Sequence, residues 1–222
     1  MNDSFFQNLD WDVMWEATYE TLFMSAISLL FVFIVGVALG LILFLTSKGN
    51  LWQNRLVYGI VGAYVNIFRS IPFIILIVLL IPFTKSLMGT MIGAKAALPA
   101  LIIGTAPFYA RMVEIALREI DKGVIEAAKA MGAKTSTIIW SVLLPEAKPA
   151  IISGITVTAI ALIGSTAMAG VVGAGGLGNV AYLEGYQRGQ SDVTLVATVI
   201  TLVIVFIVQF IGDFFTRITD KR

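Results

Sequence analysis

The chain has 222 residues, 58% of them apolar and 13% charged, and its 15 Lys and Arg nearly balance its 14 Asp and Glu for a net charge of +1. That composition lies far outside the range of a soluble globular domain and gives no whole-chain attraction to nucleic acid. Cys and His are both absent, which excludes disulfides, thiolate nucleophiles and the usual metal ligands, removes the commonest general base, and points to a polytopic membrane protein with no metal site rather than to an enzyme.

Residues 1–15 read as a short acidic arm. Asp3, Asp10, Asp12, Glu16 and Glu20 precede any Lys or Arg, so the start lacks the basic region of a cleavable signal peptide and the first apolar run is expected to stay in the mature protein. Residues 16–218 read as a single transmembrane domain. Span one runs from Leu22 to Leu45 without a charge, and a helix needs roughly 20 such residues to cross the hydrocarbon. Span two, about Leu56 to Phe83, is interrupted by Arg69 and Pro72. Span three, about Met91 to Ala110, is the weakest: Pro99 and Pro107 interrupt it and Lys95 snorkels outward. Spans four (Pro149 to Val172) and five (Val193 to Phe215) contain no basic residue. The fold expected is all-α, with five transmembrane helices.

Five crossings put the termini on opposite sides, and the Lys/Arg bias between spans sets the direction. With the N-terminus outside, the inner segments hold eleven basic residues and the outer ones only Lys85, Lys95 and Arg188. The expected orientation is N-out, C-in. The longest polar stretch, residues 111–148, then lies in the cytoplasm between spans three and four. Within it, Val124 to Met131 has helical spacing, Gly132 can supply a left-handed stop, and Thr135 can cap a second short helix that ends before Pro145. By composition alone this is an amphipathic loop resting on lipid headgroups, with Ile125, Ala128 and Met131 facing the lipid.

A specific pattern outweighs that reading. Glu126, Ala127 and Ala128 are followed after three residues by Gly132, after nine more by Val142, and then by Leu144 and Pro145. This resembles the EAA coupling motif of ABC importer permeases, with Val142 where the family favours Ile. Further segments, VNIFRSIPFIIL from Val65, APFYARMVE from Ala106 and GSTAMAGVVGAGGLG from Gly164, resemble the methionine-type branch of that family. The resemblance implies a permease domain over residues 16–218 with cytoplasmic coupling helices, in which Glu126, Ala127, Ala128, Gly132, Val142, Leu144 and Pro145 dock on an ATPase subunit. It further implies two copies of this chain, two cytoplasmic ATPases, an extracytoplasmic substrate-binding protein or lipoprotein, a cell-membrane location, no cofactor in this chain, and a small amino acid, D- or L-methionine, as cargo.

Two nucleotide-like patterns are set aside. Gly173, Gly175 and Gly178 satisfy G-x-G-x-x-G, but no strand precedes them, so the segment reads as a flexible, close-packed outer loop. MGAKTS from Met131 lacks the Gly-Lys-Ser/Thr order of a phosphate-binding loop. Span four is rich in small and hydroxylated residues, which let helices approach closely; Ser165, Thr166 and Met168 are the pathway candidates there, with the flexible Met168 as gate. Gly36 and Gly40 read as packing residues. Of the charges near the membrane, Glu114 and Asp213 are expected to be solvated at span ends, while Arg69 pairs with an acid, with carbonyls freed near Pro72, or with a substrate carboxylate. A secondary transporter or channel is the main rival. No acidic residue lies between Thr21 and Val113 to serve as an ion relay, and the coupling pattern would go unexplained.

Overall fold

The computed structural model describes residues 8–220, and every element among them is helical. Helix α1 spans Trp11–Thr46. It begins well before the apolar run because Asp10 caps it, its carboxylate accepting from Asp12 N at 2.9 Å and Val13 N at 3.4 Å. The acidic arm expected over 1–15 is therefore already helical from residue 11, and residues 1–7 lie outside the described residues. At the far end, Asn50 donates through Nδ2 to Phe44 O at 2.7 Å and closes the turn.

Helix α2 (Arg55–Ser70) is capped by Asn54 and stops before Ile71–Pro72, because proline disfavours helical backbone in the residue before it. Helix α3 (Phe73–Leu79) departs at 106° from α2, and α4 (Ile81–Met88) ends on Gly89 with φ 74°. Four helices among the described residues are long and apolar enough to cross a membrane, and the bent pair α2/α3 makes a fifth crossing when counted as one span.

Helix α5 covers Ala94–Arg118, eight residues beyond the expected end of span three. Pro99 and Pro107 lie inside it without breaking it; neighbouring helices re-satisfy freed backbone groups in a packed bundle. Helix α6 (Lys122–Ala130) and α7 (Thr135–Ile138) follow. A π-helical turn, Ile139–Leu143, then joins α7 to α8 (Leu144–Ala169). The second short helix thus does not end before Pro145: α7, the π turn and α8 form one continuous helical run from Thr135 to Ala169, and a further π-helical turn, Gly170–Ala174, leaves helical backbone at Val172 and Gly173. The wider turn shifts the hydrogen-bond register just ahead of a residue with no N–H to give, and Thr135 is the first helical residue, not the cap. Helix α9 (Gly176–Asn179) leads into a π-helical segment, Val180–Gln187, and α10 (Ser191–Thr219) closes the chain.

Helix α5 is the hub. Tyr109, Val113 and Leu117 have no exposed surface, and they pack with Val32 and Phe44 of α1 and Ile151 of α8. Gly36 lies against the Tyr109 ring and Gly40 against Val113 and the Ala110 carbonyl, leaving no room for a methyl group at either. The packing role expected of both glycines holds. At one end of the bundle Asn8 donates to Asp192 of α10; at the other, Asp220 lines a small cavity with Glu119 and Glu146. The ends of the described chain therefore sit at opposite ends of the bundle.

Candidate functional site

The polar stretch between long helices narrows to residues 119–134 once α5 reaches Arg118. Asp121 caps α6 by accepting from Gly123 N at 2.8 Å. Ile125 and Ala128 are buried against the chain's own core, not turned to lipid. The opposite face of α6 presents Val124, Glu126, Ala127 and Lys129, and Met131 beyond it is 81% exposed. Gly132 has φ 77°, with nothing within 4 Å of where a side chain would begin. Its N–H donates to Lys129 O and that of Ala133 to Ala128 O, at 2.9 and 3.1 Å. These two bonds form a Schellman stop, so glycine is needed here for its left-handed backbone rather than for space.

The rest of the motif divides by burial. Leu143 is fully buried, Val142 and Leu144 are half-buried beside it, and Pro145 and Trp140 are exposed. One surface thus combines an exposed short helix, an exposed carboxylate and exposed Met131 and Trp140. It is anchored from beneath by Ile125, Ala128, Ile138 and Leu143.

Glu114 overturns the expectation that it is solvated. It is 1% exposed and bridges two guanidinium groups. Arg111 Nη1 reaches Oε2 at 2.5 Å and Arg118 Nη2 reaches Oε1 at 2.7 Å. Arg111 also donates to Asn66 Oδ1 at 2.7 Å, and Arg118 to the Tyr58 hydroxyl at 3.5 Å, so the triad ties α5 to α2. The spacing R-x-x-E-x-x-x-R would have revealed it, since residues three and four apart share a helix face. Asp213 is exposed as expected and accepts from Gln209 Nε2 at 2.7 Å.

The four pathway candidates do not form one cluster. On α8 an exposed stripe runs through Ser153, Val157, Ala161, Gly164, Met168 and Val171, spaced as one helix face. Met168 is 49% exposed on that stripe. Ser165 is half-buried beside it and donates to Ala161 O at 3.1 Å, whereas Thr166 points inward, 2% exposed, and donates to Ile163 O. Thr166 is therefore a packing residue of this chain. Arg69 stands on the last turn of α2 with its guanidinium 6.0 Å from the Phe108 ring. It makes no ion pair among the described residues, so a cation–π contact takes the place of the expected acid or carbonyl partner.

The glycine-rich segment is a tight turn, not a flexible loop. Gly173, Gly175 and Gly176 have φ of 96°, 81° and 79°. Gly170 and Gly178 lie so close to neighbouring backbone that neither has room for a side chain. The amide that a phosphate would use in a nucleotide fold is taken by this chain's own carboxylate: Gly176 N donates to Glu20 Oε2 at 2.6 Å, and Leu177 N to Thr21 Oγ1 at 2.9 Å.

Comparison with known proteins gives a consistent result. The family described as "Binding-protein-dependent transport system inner membrane component" matches residues 36–222. The methionine import system permease protein MetP of Bacillus subtilis (strain 168) is 69% identical over 222 residues, covering 100% of both chains. The probable D-methionine transport system permease protein MetI of Pasteurella multocida (strain Pm70) is 44% identical, covering 96% of this chain and 98% of that one. Among solved structures, an inward-facing MetNI methionine ABC transporter superposes with a TM-score of 0.93 at 45% identity, over 96% of this chain and 100% of that one. An amino acid ABC transporter solved with histidines shares the fold alone, with a TM-score of 0.79 at 18% identity over 98% and 99% of the two chains.

Proposed function

The chain belongs to the family of binding-protein-dependent transport system inner membrane components, and on that premise we propose that it is the permease subunit of a methionine ABC importer in the cell membrane. The observation that carries this reading is the 69% identity to a methionine import permease along the whole of both chains. ATP is hydrolysed by a separate subunit, and a substrate-binding protein delivers the amino acid. The chain supplies the passage and needs no cofactor of its own.

The orientation is N-out, C-in, a reading supported by the eleven-to-three distribution of basic residues between the two sides. Helix α6 and the turn at Gly132 are then cytoplasmic coupling elements. Glu126 and Ala127 meet the ATPase, Ala128 holds the helix to the permease, and Gly132, Val142, Leu144 and Pro145 set the angle between α6 and the long helix behind it. This division is supported by which side chains are exposed and which are buried. ATPase motion applied at α6 passes into the continuous helical run Thr135–Ala169, which carries the α8 stripe as far as Met168.

Two copies face each other across that stripe. Support comes from Gly164, where an added methyl group would meet nothing within 4 Å although small residues in membrane helices normally mark a close partner. Met168 is the gate on this surface, with Ser165 beside it and Arg69 holding the bend of α2. The test is uptake of labelled methionine by an auxotroph lacking its other methionine importers. Deleting the chain should abolish uptake. Gly132→Val should cut uptake several-fold, because a branched residue at φ 77° is strained, while capture by the binding protein is unchanged; Met168→Ala should instead raise ATP hydrolysis not coupled to uptake. A cysteine at Lys129 that reacts with an impermeant reagent from outside the cell would refute the orientation, and undiminished uptake after deletion would refute the function.

A further inference from the structure

At the end of the bundle where α1 finishes and α2 begins, a pocket of about 530 Å³ is lined by Thr46, Ser47, Lys48, Arg55, Tyr58 and Arg118, together with Gln53. Three cations converge on it, and no carboxylate among the described residues lines it. Lys48 and Arg55 make no ion pair among the described residues. Arg118 shares the single charge of Glu114 with Arg111, so that triad also retains one positive charge. Of the neutral groups, Gln53 and Tyr58 are disposed as donors. Gln53 Oε1 accepts from Gly49 N at 2.9 Å, which leaves its amide N–H groups free to donate. The Tyr58 oxygen accepts from Arg118, which leaves the phenolic proton. Thr46 and Ser47 donate back to Ile42 O and Phe44 O, so their oxygens can only accept and set the floor of the pocket.

The depth of the pocket identifies the source of the anion. Trp52 and Leu56 flank Gln53 and Arg55 in the chain and are 53% and 71% exposed. An exposed Trp beside a basic cluster at a span end is the arrangement that sits at headgroup level, with the ring among the first acyl carbons and the cations among the phosphates. We infer that this pocket binds the phosphate of an anionic membrane phospholipid in the leaflet on the α6 side, with Lys48, Arg55 and Arg118 as its charged contacts and Trp52 and Leu56 against its acyl chains. The site rests on the bilayer setting of the proposed function and on nothing else in it; its test does not read transport, so the two fail separately.

The intact importer complex, exchanged into phosphatidylcholine nanodiscs and titrated with phosphatidylglycerol, is read by native mass spectrometry of retained lipid. Lys48→Gln/Arg55→Gln alters two exposed side chains and leaves the buried Glu114 triad intact. Phosphatidylglycerol affinity should fall about thirtyfold, roughly fivefold for each charge removed, while phosphatidylcholine retention is unchanged. Lys48→Arg/Arg55→Lys, which keeps both charges, should bind as the parent does. Unchanged phosphatidylglycerol affinity in the neutral variant overturns the site. So does an equal loss of phosphatidylcholine, which would mean a surface without headgroup selectivity, or displacement of the lipid by millimolar inorganic phosphate, which would mean that the pocket serves a soluble anion.

Discussion

Helices α5 and α10 differ in a way that inverts the rule for proteins in water. The most apolar window of α5 has mean hydropathy 1.4 and is 61% buried in the chain; that of α10 has mean hydropathy 2.7 and is 17% buried. The less apolar helix is the inner one. In a bilayer the outer surface meets hydrocarbon, so Phe206, Phe210 and Phe214 of α10 stand exposed without an aqueous penalty. The inner helix is free to carry two prolines, a run of alanines and a carboxylate, provided each backbone and polar group finds a partner inside the bundle. Hydropathy along this chain therefore reports contact with lipid and says little about which helix holds the others together.

Substitutions on the two helices and their partners sharpen that contrast. The largest effect is expected for Gly40→Leu, at the crossing of α1 over α5, where the Ala110 carbonyl leaves the backbone no way to yield. Forcing the helices apart should cost about 3 kcal/mol or more, measured as unfolding of the detergent-solubilised chain. Glu114→Gln follows, at roughly 2 kcal/mol: it removes the anion shared by two guanidinium groups, and the partial exposure of Arg111 and Arg118 lets water offset some of the loss. The smallest is Phe210→Ala on α10, 73% exposed, expected within about 0.5 kcal/mol because lipid fills the space vacated. If Phe210→Ala destabilised the chain as much as Gly40→Leu, α10 would be covered by protein and the contrast with α5 would collapse.

Much of the fold is legible from local chemistry. The Asn54 cap, the break ahead of Pro72 and the Gly132 stop follow from backbone preferences of single residues, and the short exposed helix α6 with its stop follows from a pattern over twenty residues. Tertiary neighbours decide some of the misreadings, and local spacing decides the others. Proline inside α5 and in the first turn of α8 is tolerated because surrounding helices and a π turn absorb the missing N–H. Glu114 is buried because its partners lie one turn away on either side of it, and Thr166 faces inward because of the phase of α8. The early start of α1 is signalled by Asp10-Trp-Asp, a cap signature overshadowed by the apolar run that follows. The glycine turn gives no local sign of its rigidity, since Glu20 and Thr21, which hold it, are 156 residues away in the chain.

That separation sets an order of events during synthesis. A ribosome adding about 5–20 residues each second needs roughly 8–30 s to pass from Glu20 to Gly176. Until Gly176 has been made, the Glu20 carboxylate is without the amide it accepts from. A nascent chain halted anywhere before the glycine turn would carry that acidic group unlatched, and only a chain that reaches Gly176 closes it.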